Sequence, residues 1–425
     1  MTSGRGEAAA EHGGSNVAST GLSNLSLGVA GQPVAARLAS IDIFRGLTMM
    51  LMIFVNDLAS VKGLPWWTYH MPGRASGMTY VDMVFPAFLF IVGMSIPLAI
   101  RSRLHKNGSE GRLWLHVFLR ALSLVVLGLI LANAEKGSQA RMGIAPNWWA
   151  FIAVVGAFLF WNVYPRSPGF KLWARILKLL GLAVLITMFA IFRRTAADGQ
   201  AAWIDISYWE ILGIIGWAYL SACILYIPTR RWRWVPAGWF VSLLALNVLC
   251  SAGWLKTLAH LPAYLWPFGS GASCLIVMAG VVTARMFLHP GAVTTSSRKL
   301  MGALLFASAS LVAGWFLTPL GISKIRATPT WCLYCIAANI VIYALLFWIC
   351  DVKRRTNWAS FIRPAGSNAL TTYLVPDLYY FAVAGSALES YFIYGWPGVV
   401  RAIVFTAVML AVAALLTRWR VRMQL

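Results

Sequence analysis

The chain has 425 residues, of which 60% are hydrophobic and only 11% charged, with a mean hydropathy of +0.71. Soluble globular chains carry about 25% charged residues, so this composition excludes a soluble domain and describes a polytopic membrane protein. The formal net charge of +22 would suggest a nucleic-acid partner in a soluble protein; here its distribution along the chain, set out below, assigns it to membrane topology, and no nucleic acid is expected.

Residues 1–36 are rich in Gly, Ser and Ala and poor in large apolar side chains, which predicts a disordered cytoplasmic tail. No basic stretch followed by a compact apolar run marks a cleavable signal, so the first membrane helix is expected to act as its own insertion signal. Apolar segments then follow at 41–58, 81–100, 113–134, 148–163, 176–192, 209–227, 235–252, 272–287, 300–317, 332–350, 369–387 and 399–416. A membrane helix needs roughly 20 residues, and the fourth, fifth and eighth segments are short, so ten to twelve spans are expected. The fold class is all-α, with residues 37–425 forming a single transmembrane domain.

Loop charge gives a second line of argument, because cytoplasmic loops are enriched in Lys and Arg. With the N-terminus inside, the cytoplasmic segments hold more than twice as many basic residues as the opposite loops, alternating loop by loop. Both termini are therefore expected in the cytoplasm. Trp66, Trp67, Trp148 and Trp203 fall near the outer ends, as an interfacial aromatic belt should.

The first two segments carry polar residues that a lipid-facing helix would not tolerate. Asp42 and Arg45 enter the first, Asn56 and Asp57 leave it, Asp82 opens the second, and the loop between holds His70. A charged side chain at the membrane centre costs on the order of 3 kcal/mol, so these groups should face the protein interior or a wet cavity. His70 reads equally as a general base, its tautomer fixed by Asp57 or Asp82, and as an ordinary interfacial histidine. Asp42 and Arg45, spaced i, i+3, form either a structural ion pair or a hold on an anionic cofactor.

Further along, His116 and Arg120 share a helix face and read as structural or as lining a phosphate pocket. Glu210 and Asp377 are membrane-level acids suited to a proton relay in a transporter, yet no internal repeat of the transporter kind is present. Lys324 and Arg326 stand among turn residues where they would meet an anionic substrate or lipid headgroups. Arg363, Ser367 and Asn368 lie at the cytoplasmic mouth of the eleventh segment, where Arg and backbone amides would meet cofactor phosphates. Cys332 and Cys335 form a CxxC without a second pair, so the six cysteines read as packing residues and no metal is expected. GxGxxG, P-loop, HExxH and GxSxG are all absent, which removes support for nucleotide hydrolysis, zinc hydrolysis and serine-elbow chemistry.

The opening stretch RLASIDIFRGLTMMLMIFVND, then His70, then VDMVFPAFLFIVGMSI, resembles the heparan-alpha-glucosaminide N-acetyltransferase family and its bacterial relatives. WEILGIIGWAYL, GASCLIVMAG and GSNALTTY are similar to later pieces of the same pattern. The resemblance implies an integral membrane acyltransferase that takes an acetyl group from cytoplasmic acetyl-CoA and delivers it to an acceptor on the opposite side. By motif position His70 matches the family's catalytic histidine and Asn56 its active-site asparagine. Asp42, Arg45, Arg363, Ser367 and Asn368 would then support the donor, and Asp57, Asp82, Lys324 and Arg326 the substrate or the catalytic groups. Departures from the pattern lie in the acceptor region: segments four and five read as an insertion, the lysosomal enzyme's luminal domain has no counterpart, and Pro376 and Asp377 replace a histidine and a glutamate. The expected acceptor is an amino sugar or other glycan, N- or O-acetylated at the periplasmic face of a bacterial inner membrane. A homodimer in membrane lipid is one expected assembly. The rival function is a transporter or flippase for a sugar or lipid-linked substrate, in which the same buried ions would gate.

Overall fold

The computed structural model describes residues 38–165, 167–288, 295–386 and 391–423, so the predicted tail 1–36 lies outside the described residues. Each of the twelve predicted segments coincides with a helix. These are α1 (Ala39–Leu58), α2 (Val81–Asn107), α3 (Glu110–Asn133), α4 (Pro146–Trp161), α5 (Lys171–Ile191), α6 (Glu210–Thr229), α7 (Val235–Ser251), α8 (Ala272–Leu288), α9 (Ser296–Phe316), α10 (Pro329–Phe347), α11 (Ala369–Val383) and α12 (Gly395–Arg418). Among the described residues 8 helices are long and apolar enough to cross a membrane, while α4, α7 and α8 are shorter apolar helices. The chain is an all-α, multi-pass membrane protein; its strands among the described residues are the two-residue pair Arg194–Thr195 and Ala201–Ala202.

Local sequence sets the helix ends. Pro146 and Pro329 begin α4 and α10, where the missing N–H of proline costs nothing. Gly108 closes α2 in the left-handed conformation, with φ of 61°. Pro86 and Pro97 lie inside α2, and the Asp82 carbonyl that Pro86 leaves without its helical partner accepts from Trp331 Nε1 on α10 (3.3 Å).

At the centre sits α8, which runs from Cys274 to Ala284 with almost every side chain buried. It crosses α2 through reciprocal glycines. A Cβ on Gly93 would stand 1.9 Å from the Val277 carbonyl oxygen, and one on Gly280 would stand 2.1 Å from that of Phe90. Lipid gives helices no hydrophobic reason to associate, so this close approach supplies the packing that holds the core. Gly93→Ala is expected to cost at least 1–3 kcal/mol, the order of an overpacked core, and to lower the melting temperature in detergent by several degrees. An unchanged melting temperature would show that the crossing yields freely.

Hydrogen bonds sort the loops into two groups at opposite ends of the bundle. At one end Lys62 N bonds Ile393 O (2.7 Å), Gly77 N bonds Ile322 O (2.8 Å), and Asp205 N bonds Asn133 Oδ1 (2.8 Å). At the other, Ala39 N bonds Asp351 Oδ1 (2.9 Å), Glu110 pairs with Arg230, and Arg422 N bonds Asn162 Oδ1 (2.9 Å). His70 belongs to the first end and Asp42 to the second.

Candidate active site

The loop between α1 and α2 is folded by its own side chains. Tyr69 donates its hydroxyl to Val61 O (2.8 Å) and accepts from Leu64 N (3.1 Å), while Thr79 Oγ1 donates to Tyr69 O (2.8 Å). A reciprocal pair, Gly77 N to Ile322 O and Ile322 N to Ser76 Oγ (3.1 Å), clamps it to the loop before α10. His70 is thereby held over the first turn of α2.

There its Nδ1 lies 2.7 Å from Asp82 Oδ1. Asp82 is 1% exposed and His70 46%. The other carboxylate oxygen, Oδ2, accepts from Thr79 N (3.1 Å), Met71 N (3.3 Å) and Thr79 Oγ1 (3.4 Å). Trp331 Nε1 on α10 bonds the Asp82 carbonyl (3.3 Å). A carboxylate in the first turn of a helix, met by backbone amides, is well placed to stay ionised.

Lys324 Nζ lies 3.4 Å from the same His70 nitrogen. Two arrangements compete for Nδ1: a proton donated to Asp82, or a lone pair facing Lys324. The second would set the lone pair against carboxylate oxygen at 2.7 Å, so the first prevails and Nδ1–H points at Asp82. The lone pair then resides on Nε2. Burial pushes the Lys324 ammonium below the ordinary lysine range, with the Asp82 and Glu210 carboxylates opposing that shift.

Asp57 belongs to a different group. Its oxygens accept from Tyr380 OH (3.0 Å) and an Arg401 guanidinium nitrogen (3.2 Å), which ties α1 to α11 and α12. Of the two acids predicted to fix the His70 tautomer, Asp82 does so and Asp57 does not. Asn56, exposed at the end of α1, borders a small cavity with Tyr373, Asp377 and Tyr380, and no hydrogen bond joins it to His70. Arg326 is exposed, with its guanidinium against Gly321. Glu210 takes a left-handed φ of 54°, unusual for a residue other than glycine, and accepts from Leu212 N (3.3 Å) and Tyr373 OH (3.4 Å).

At the opposite end the predicted anion-binding groups partly converge. Arg45 bonds Asp42 Oδ1 (3.3 Å), Ser95 Oγ (3.0 Å) and the Gly366 carbonyl (3.2 Å). The Gly366 contact brings the short helix Arg363–Ser367 onto α1, with no room for a side chain at Gly366, whose Cβ would stand 2.1 Å from Asp42 O. Arg363 and Ser367 are exposed beside this contact. Asn368 is a correction to the sequence reading. Buried, it donates to Thr417 Oγ1 (3.1 Å) and Val421 O (2.9 Å) and accepts from Thr371 Oγ1 (2.7 Å), so its amide anchors the end of α12 and both of its N–H donors, the groups a phosphate would need, are already spent. Arg401, which pairs with Asp57, escaped the sequence reading, although a lone Arg within an apolar run is the signal that singled out Arg45.

A family model described as a domain of unknown function, DUF5009, matches residues 37–268. The heparan-alpha-glucosaminide N-acetyltransferase of Mus musculus is 33% identical over 146 residues, which cover 31% of this chain and 21% of that protein. The Homo sapiens protein of the same name is 39% identical over 97 residues, 23% of this chain and 14% of that protein. The chain thus matches about a fifth or less of the length of these relatives.

Proposed function

This chain belongs to the DUF5009 family, and we propose that it is a membrane acetyltransferase that uses acetyl-CoA to acetylate an amino sugar or other glycan. One observation carries the reading. A half-exposed histidine at one end of a membrane helix bundle meets a buried carboxylate through Nδ1, which leaves Nε2 as its basic nitrogen. The named activity of the two relatives supports the same chemistry.

In this proposal His70 Nε2 removes the proton from the acceptor amine as the nitrogen attacks the thioester carbonyl. The new C–N bond forms, the C–S bond breaks, and the imidazolium returns the proton to the departing thiolate. Asp82 steadies the imidazolium without taking its proton. The Lys324 ammonium, beside the same ring, faces the negative charge that develops on the carbonyl oxygen, and the Asn56 amide, on the α11 side of α1, is assigned to positioning the acyl group. The same Nε2 lone pair is also suited to accept the acetyl group first. Rapid-quench labelling without acceptor separates the routes, because only the second leaves acetyl on His70.

Arg45, with Asp42 holding its guanidinium, and the exposed Arg363 and Ser367 would receive the anionic part of the donor at the opposite end, the cytoplasmic one by loop charge. That arrangement sets donor entry and acceptor on opposite sides of one domain, residues 37–425. A bacterial inner membrane with a periplasmic acceptor is the setting this topology suits.

Thermal shift with CoA tests the donor half. Ligand at a hundredfold excess over its dissociation constant stabilises the native state by about 2.7 kcal/mol. Arg45→Ala is expected to weaken CoA binding about tenfold or more, the order of one charge-assisted hydrogen bond. No shift at millimolar CoA in folded wild-type protein would remove the acetyl-donor reading and leave a sugar or lipid-linked carrier in its place.

A further inference from the structure

One face of α12 carries Ala407, Ala411 and Ala414 at helical spacing, and α1 sets Met50 and Phe54 beside them. The small side chains leave an apolar groove of about 700 Å³ between the two helices. Thr406 in its wall spends its hydroxyl proton on Ala402 O (2.7 Å), and no acidic or basic side chain lines it.

At the end opposite His70 the groove stops against Ser360, Phe361 and Pro364, where the short helix Arg363–Ser367 begins. That shelf is fixed to α1, since a Cβ on Gly46 would stand 2.6 Å from Ile362 O and one on Gly366 would stand 2.1 Å from Asp42 O. From Ile403 to Ala414 the groove follows α12 for about 16 Å, at a rise of 1.5 Å per residue. A hydrocarbon core is roughly 30 Å thick, so the groove has the depth of one leaflet.

Positive charge marks the shelf end. Arg418 stands one turn beyond Ala414 on the same face of α12, exposed and without a hydrogen bond or ion pair among the described residues. Other arginines of the membrane helices do have acids: Arg45 meets Asp42 and Arg401 meets Asp57. Arg363, offered to the donor above, adjoins the shelf and strengthens the same positive field.

These features select among occupants. A membrane helix of a second copy would have to run past both ends of the groove, and the shelf blocks one of them. The amide-bearing arm of CoA would leave its polar groups unmatched along an apolar wall. A zwitterionic lipid would bring its ammonium group beside arginines with no carboxylate in the groove to receive it. A flexible chain one leaflet long, ending in an anionic headgroup, matches the length, the wall and the charge together. We infer that the groove binds an anionic phospholipid, with one acyl chain between α1 and α12 and its phosphate against Arg418. The assignment is independent of the acetyltransferase reading.

Native mass spectrometry of the full chain released from detergent tests it, with phosphatidylglycerol or phosphatidylcholine of matched chains added to wild type, Ala411→Phe and Arg418→Ala. Both replaced side chains are exposed, so the fold should survive, and melting temperatures in detergent check that. Wild type is expected to retain one phosphatidylglycerol about fivefold more tightly than phosphatidylcholine, the worth of one arginine beside an anionic lipid. Arg418→Ala should remove most of that preference. Ala411→Phe, whose ring fills the groove, should release both lipids. Equal retention of the two lipids by wild type, a preference that survives Arg418→Ala, or undiminished binding in Ala411→Phe overturns the assignment. A dimer of chains that Ala411→Phe breaks, with no lipid retained, also overturns it and gives the groove to a second copy.

Discussion

His70→Ala is expected to lower acetyl transfer by about 10²–10⁴-fold, the usual contribution of a positioned general base. The fold should survive. The imidazole is half-exposed and contributes little burial, and the loop that carries it is held by Tyr69, Ser76, Gly77 and Thr79. Turnover would be measured with acetyl-CoA and glucosamine, and melting temperature recorded in parallel. Partial rescue by added imidazole would show that the missing group acts as a base. Activity within tenfold of wild type in a folded variant would move the chemistry away from His70.

Asp82→Asn is expected to cost a comparable factor for a different reason. The carboxylate accepts from Nδ1–H and so keeps the lone pair on Nε2. An amide of the same shape can turn its NH₂ group toward the ring, which stabilises the opposite tautomer and places the proton on the nitrogen that must be free. In the Ser-His-Asp arrangement the same exchange lowers turnover by about 10⁴. The amide oxygen can still accept from Thr79 N, so the accompanying loss of stability should stay near 1–3 kcal/mol. Asp57→Asn provides the contrast, because Asp57 holds Tyr380 and Arg401 rather than the histidine. It should lower stability more than turnover. Equal effects on turnover from both variants would contradict the tautomer argument.

The membrane architecture was legible in the sequence because lipid imposes one rule everywhere: an apolar run long enough to span, with polar residues only where they find partners. That rule located α1 to α12 and passed over short helices such as Arg363–Ser367. It left the interior position of α8 open, since a 17-residue apolar run reads the same at the core as at the rim. The decision came from Gly93 and Gly280, whose meaning depends on each other across a long sequence separation.

At the site the rule found His70, Asp42, Arg45 and Asp82 as polar residues out of place. It did not choose between Asp57 and Asp82, which flank the same loop. Backbone geometry chose, since Asp82 begins a helix directly under His70 and Asp57 ends one facing α11 and α12. Lys324 approaches His70 from 254 residues away, a convergence only the tertiary fold provides. Asn368 stands with Arg363 and Ser367 at one mouth of the bundle, which its position in the sequence made plain, but that its side-chain donors are spent on Thr417 and Val421 depends on where the end of α12 folds back.

Release of free CoA thiol from acetyl-CoA by the purified full chain, with and without glucosamine, tests the central claim most directly. The account predicts thiol release that requires both the protein and the amino sugar, in step with acetylated sugar and abolished in His70→Ala. Folded wild-type protein that binds CoA and glucosamine yet releases no thiol above the uncatalysed rate would contradict it.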